Sequence, residues 1–200
     1  MKDDPDRELV EDCLSPDKRV RDRAFTSLFE KYKDKVYTTA YRITGESSLA
    51  YDATQETFLS VYRKIGDFNR EARFSSWLYR IAFNFSIDRK RKASKEPLLH
   101  EEAGSPSGRT EWDIVDERAV DPESVASSKE FESRVQGVID RISEPLRVVV
   151  VLRYVNGLSY KEIGEVLGCS IGTVKSRLNR AMAALEAPLG RLLQQEAGEE

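Results

Sequence analysis

The chain is poor in the residues that build metal centres, disulfide frameworks and strands. Its two cysteines, Cys13 and Cys169, stand far apart among 200 residues. Two isolated thiols make no disulfide framework, and Cys169 reads as a small buried residue in a turn. His100 is the single histidine, so no His/Cys zinc site can be assembled. A Gly-rich phosphate loop is missing, as is a nucleophile with a base, which argues against a nucleic-acid enzyme. The longest apolar run, residues 148–152, is far too short to span a bilayer. The start, Met1-Lys2-Asp3-Asp4-Pro5-Asp6, is charged and has no apolar signal core. A soluble, cytoplasmic, non-enzymatic protein without cofactor or metal is expected. Neither an alternating strand pattern nor an internal repeat is present, so the expected class is all-α.

A net charge of −3 does not by itself point to DNA. Its distribution says more. Residues 1–93 carry 19 bases and 16 acids, residues 94–129 carry 4 and 9, and residues 130–200 carry 9 and 10. Local patches rather than the total set nucleic-acid affinity. The acidic middle also holds Pro97, Gly104, Pro106, Gly108 and Pro122 among serines, the composition of a flexible linker. The expected division is a helical domain over 1–93, a linker over 94–129 and a second helical domain over 130–200. Helical periodicity places helices near 9–13, 21–45, 49–65, 73–92, 131–142 and 145–154. The polar tail after Arg191 is expected to fray.

Residues 157–178, GLSYKEIGEVLGCSIGTVKSRL, read as a helix-turn-helix. Ser159 and Glu162 have capping-box spacing. Ile163, Val166 and Leu167 give the first helix one buried face. Gly168-Cys169-Ser170 is a short break, and Ser170 can cap the second helix. Val174, Leu178, Ala181 and Leu185 form its buried stripe, while Lys175, Ser176, Asn179 and Arg180 share another. Such a helix enters the major groove and presents polar side chains to base edges. A solvated surface hairpin is the blander reading, which the two caps and the small-residue turn disfavour.

Two further stripes stand out. On the third helix, Phe58, Val61, Tyr62 and Ile65 form a core face, while Asp52, Glu56, Leu59 and Arg63 form a second stripe with Gln55 at its edge. A leucine between carboxylates fits a protein interface, or a solvated face with one stray apolar residue. On the fourth helix, Phe74, Leu78, Ile81 and Phe85 make the core stripe. Trp77, Arg80, Asn84, Asp88 and Arg91 lie beside it, and Arg89-Lys90-Arg91-Lys92 closes the helix. An aromatic, bases and an amide at that spacing suit nucleic acid. The alternative is a core tryptophan and a basic run favoured by the helix dipole. The loop 67–73 just before could take an unstacked base.

These residues resemble the extracytoplasmic-function sigma factors, two-domain bacterial initiation factors of RNA polymerase. Asp52-Ala53-Thr54-Gln55-Glu56-Thr57-Phe58 is similar to the family's D-x-x-Q-E-x-F. The run 74–84, FSSWLYRIAFN, is similar to F-x-x-W-L-x-R-I-A-x-N, and Gly172-Thr173-Val174-Lys175-Ser176-Arg177-Leu178 to G-T-V-K-S-R-L. The match covers most of residues 20–93 and 130–187. It implies promoter-directed initiation with core polymerase, in place of the alternative, a stand-alone helix-turn-helix regulator. It implies that Asp52, Gln55, Glu56, Phe58, Leu59 and Arg63 dock on core RNA polymerase, chiefly the β′ coiled coil, with β a further contact. It implies that Phe68, Asn69, Arg70, Arg73, Trp77, Arg80, Asn84, Asp88 and Arg91 serve the −10 element. The loop 68–73 would hold a flipped base, and Asn84 and Asp88 would read the upstream edge. Asp88 could accept from a cytosine amino group or repel phosphate. Ser170, Thr173, Lys175, Ser176, Arg177, Asn179 and Arg180 would serve the −35 element. Promoter DNA, core polymerase and an anti-sigma protein are the implied partners, without membrane insertion, and the nucleoid is the implied place of action. The family often has an acid where Tyr51 stands and a leucine where Ala53 stands.

Overall fold

The computed structural model describes residues 4–94 and 122–196, with side chains for 4–94 and 130–195. Among the described residues there are eight α-helices and no strand. The N-terminal bundle comprises α1 (Arg7–Asp12), α2 (Lys18–Thr44), α3 (Ser47–Lys64) and α4 (Phe74–Ala93). The C-terminal bundle comprises α5 (Pro122–Ile139), α6 (Glu144–Val150), α7 (Tyr160–Leu167) and α8 (Ile171–Glu196). A π-helical segment, Val151–Val155, prolongs α6. None of these helices is long and apolar enough to cross a membrane.

Local chemistry sets most of the boundaries. Asp17 caps α2 by accepting from Arg19 N at 2.8 Å, so the helix starts three residues before the expected Arg21. Its buried stripe includes Ala24, Leu28, Tyr32, Val36 and Ala40, spaced one turn apart. Pro122 opens α5, a place its fixed φ suits. Residues 122–129, expected in the linker, are therefore helical, and His100 lies outside the described residues. Beyond Arg191, α8 continues to Glu196 instead of fraying. Leu192 explains this, since it is buried with Val138, Ile142, Ala181 and Leu185.

One hydrophobic core runs through both bundles. Leu28, Val36, Ile43, Leu78 and Tyr79 belong to the same cluster as Val148, Val149, Leu152, Ile163 and Leu178. α2 packs on α6 and the π-helical segment, and α4 packs on α7. Polar contacts accompany this seam. Asn156 donates to Thr39 Oγ1 at 2.7 Å and lies beside the Tyr79 hydroxyl, whose pKa is raised chiefly by burial. Arg42 donates to Gln136 Oε1 at 3.1 Å. Arg147, 5% exposed, donates to Ile43 O at 3.1 Å and to Asp140 O at 2.8 Å, and pairs with the Asp140 carboxylate at 2.8 Å.

A shared core couples the stability of the two bundles. Leu152 is fully buried within it, and Leu→Ala at such a site costs about 2–5 kcal/mol. Calorimetry of the wild-type chain is expected to show one transition. Leu152→Ala should lower it as a whole, including the signal from Trp77 in the other bundle. Two separate transitions, with only one moved, would show that the bundles melt independently.

Candidate nucleic-acid interface

The helix-turn-helix is held by local bonds of good geometry. Ser159 Oγ accepts from Glu162 N at 3.3 Å, and the Glu162 carboxylate accepts from Ser159 N at 2.8 Å. α7 ends at Gly168 with φ +61°, a conformation that side chains with a Cβ resist. Cys169 N then donates to Gly164 O at 3.0 Å. This approach is so close that a Cβ on Gly164 would sit 2.8 Å from Cys169 O. Ser170 Oγ accepts from Thr173 N at 3.1 Å and pairs with the Thr173 hydroxyl at 3.0 Å. Both hydroxyls are thus occupied in starting α8. Val174, Leu178, Ala181 and Leu185 are buried. Lys175, Ser176, Asn179 and Arg180 are exposed on the other side, while Arg177 and Cys169 are half-buried.

On α4, Arg80, Asn84, Asp88 and Arg91 are exposed along one face. Trp77 is half-buried, its ring 5.1 Å from Phe68 and 6.0 Å from Phe74. Phe68 is only 5% exposed. Its ring lies under the loop as a floor rather than being presented to a ligand, because the aromatic cluster below offers more contact than water does. Asn69 is also committed within the loop. Its Oδ1 accepts from Glu71 N at 3.1 Å and its amide donates to Glu71 Oε2 at 3.2 Å. Arg70 and Arg73 are exposed, and Arg73 reaches Glu162 Oε1 across the seam at 3.6 Å.

The basic run that closes α4 is not one uniform cluster. Arg89 bridges Asp52 at 3.4 Å and Glu56 at 3.3 Å. Lys90 Nζ donates to Ile43 O at 2.9 Å. Burial, then the nearby Arg147, hold its pKa below the usual lysine value. Arg91 and Lys92 are the exposed members, with Arg91 3.6 Å from Glu144 Oε1. The expected phosphate-contacting cluster is therefore halved, because the last turn of α4 packs between α3 and the end of α2.

On α3, Gln55, Leu59 and Arg63 are exposed, Leu59 by 51%. Asp52 and Glu56 stand beside them, oriented by Arg89. Phe58 is a core residue, 7% exposed and edge-on to Phe29 at 4.8 Å, so its ring is not available to a partner. Tyr62, expected in the core, is 55% exposed and stands edge-on to Phe25 at 5.0 Å. The two aromatics differ because the helix turns about 100° per residue, placing Tyr62 at the rim of the core stripe. Ala53 is fully buried against Ala40 and Ala50. The departure at this position therefore concerns helix packing and not the outer face.

The chain matches the sigma-70 region 2 model over residues 28–96 and the sigma-70 region 4 model over residues 133–185. Together these matches define the class as a sigma-70-type transcription initiation factor. The chain is 39% identical to the ECF RNA polymerase sigma factor SigW of Bacillus subtilis, over 83% of this chain and 89% of the relative. It is 32% identical to the RNA polymerase sigma-H factor of Pseudomonas aeruginosa, over 98% and 99%. The solved structure of CnrH in complex with the cytosolic domain of CnrY shares the fold, with a TM-score of 0.69 at 24% identity over 94% and 99% of the two chains. The chain belongs to the extracytoplasmic-function (ECF) sigma factor family. It is an alternative sigma factor rather than a stand-alone helix-turn-helix regulator, since region 2 accounts for the half that a regulator would leave unexplained.

The close turn gives a direct test of the helix-turn-helix. Gly164→Val forces a Cβ against the Cys169 carbonyl, and such overpacking costs about 1–3 kcal/mol. The variant is expected to melt earlier and to lose binding to −35 duplex. Wild-type melting would mean that the turn has slack.

Proposed function

We propose that the three exposed faces divide the work of initiation. Gln55, Leu59 and Arg63, with Asp52 and Glu56, form the face for core polymerase, which Tyr62 extends. Trp77, Arg80, Asn84, Asp88 and Arg91, with the loop 68–73, take the −10 element. Lys175, Ser176, Asn179 and Arg180 read the −35 element, while Ser170 and Thr173 set the start of the reading helix. The observation that carries this reading is that Gln55, Leu59 and Arg63 on α3, Arg80, Asn84, Asp88 and Arg91 on α4, and Lys175, Ser176, Asn179 and Arg180 on α8 are exposed, each set along one face of its helix. RNA synthesis itself belongs to polymerase, and this chain contributes binding and strand capture at the nucleoid. Residues 1–93 and 130–200 act as two domains.

Promoter geometry requires those domains to separate. Elements centred at −35 and −10 lie roughly 25 base pairs apart, about 85 Å along B-DNA. A compact chain of this size has a radius of gyration of about 16 Å. Residues 95–121 can span at most about 90 Å, enough to bridge the two sites. An anti-sigma protein that holds the closed form would therefore block initiation, and relatives of this fold include one solved with the cytosolic domain of CnrY.

Run-off transcription with core polymerase and mapped start sites tests the reading as a whole. Gln55→Ala with Leu59→Ala should weaken core binding while changing stability by no more than about 0.5 kcal/mol, because both side chains are exposed. Unchanged core affinity would remove that face from the assignment. Arg180→Ala or Lys175→Ala should cost about 1–3 kcal/mol against a −35 duplex if a base contact is lost. Titrations with single-base variants across salt separate base from phosphate contacts. Wild-type binding by both variants would show that α8 is not the reader.

A further inference from the structure

The first turn of α4 contains no acidic residue, and its N-cap, Arg73, provides no side-chain acceptor. The missing acceptor comes from seventy residues away. Asp4 Oδ2 accepts from Phe74 N at 2.8 Å, and Asp4 Oδ1 accepts from Asp6 N at 3.0 Å. Both carboxylates are buried, Asp4 at 8% exposed and Asp6 at 0%. Asp6 in turn accepts from the Tyr32 hydroxyl and from Lys31 Nζ. The Tyr32 ring stands edge-on to Phe74 at 5.8 Å, and Phe74 stands edge-on to Phe68 at 6.0 Å. A continuous path therefore leads from the first described residues to the aromatic floor of the loop 68–73.

We infer that Asp4 is a positioning residue for strand capture: it caps α4 in place of a local N-cap and, with Asp6, holds the loop 68–73 ready to receive an unstacked base. The inference rests on the assignment of that loop to the −10 element. Carboxylates favour helix N-termini because they neutralise the dipole and satisfy an orphan N–H. A loop fixed beforehand loses less conformational freedom on binding, which raises affinity without adding a contact. Asp4 touches no DNA in this scheme and acts through Phe74 and the loop.

The experiment uses the full chain in a Trp112→Phe background, which leaves Trp77 as the single tryptophan. Asp4→Ala and Asp4→Asn are compared with the parent on three probes: a single-stranded oligonucleotide carrying the non-template −10 element, a −35 duplex, and core polymerase. Removal of a cap of this kind corresponds to roughly tenfold in an equilibrium, so Asp4→Ala should bind the single strand on the order of tenfold more weakly. Trp77 emission should shift, while −35 duplex and core binding stay at the parent level. Asp4→Asn keeps an acceptor for Phe74 N but sets its amide NH2 against Asp6 N and carries no charge for the helix dipole, so it should recover only part of the loss. Two results would overturn the inference: parent-level strand binding by Asp4→Ala, or an equal loss on all three probes. A parent chain that binds the −35 duplex but captures no −10 strand would instead remove the −10 assignment, and the inference with it.

Discussion

The arrangement depends on what happens at the C-terminal end of α2. Its Ile43 carbonyl accepts from Lys90 of α4 at 2.9 Å and from Arg147 of α6 at 3.1 Å. A helix end of this kind carries partial negative charge and unpaired carbonyls, so two cations from opposite bundles converge on it. Taking a guanidinium out of water is costly unless its donors are satisfied. The two terminal nitrogens of Arg147 meet that condition through Ile43, the Asp140 and Ile142 carbonyls and the Asp140 carboxylate, while the buried Nε has no partner. One of those acceptors lies in the other bundle. The burial of Arg147 is therefore a property of the docked chain, and the apolar core on either side closes around it.

Much of this was legible in the sequence where the signal was local. Both caps of the helix-turn-helix, its buried stripe and its exposed polar stripe follow from residues within about three turns of one another. The inner positions Phe74 and Leu78 of α4 follow for the same reason, whereas Ile81 and Phe85 are only half-buried and Tyr79, Ala82 and Ile87 fill the core in their place. Leu59 was legible as an exposed apolar residue between carboxylates, because three- and four-residue spacing fixes which side chains share a face.

What escaped the sequence is long-range. Nothing in the order of residues links Arg89 to Asp52 and Glu56, and a run of four basic residues looks uniform until packing turns two of them inward. Tyr62 and Phe58 have similar hydrophobicity and both lie near the core stripe, so periodicity alone could not say which ring would be covered. Phe68 read as a loop aromatic, yet the Phe74–Trp77 cluster gives it a better environment than solvent. Asp4 carried no signal, since its partner is a backbone amide at the start of another helix. The continuity of the core across the acidic segment was equally invisible, because separate amphipathic helices give no indication of which neighbour covers them.

Under the proposed opening, the seam between the bundles also has a competitive meaning. A ligand that needs the open chain binds with its intrinsic affinity reduced by the fraction of molecules that are open. That handicap applies equally to every ligand of the open form, so it weighs most on those that bind weakly. Duplex DNA that meets one face alone touches side chains already exposed in the docked chain, so it neither needs nor favours the open form. A partner that engages surfaces on both bundles recovers the cost of opening once and keeps the benefit at each surface. In that scheme the shared core acts as a threshold crossed only by partners that need the two bundles apart, and single-face contacts leave it closed.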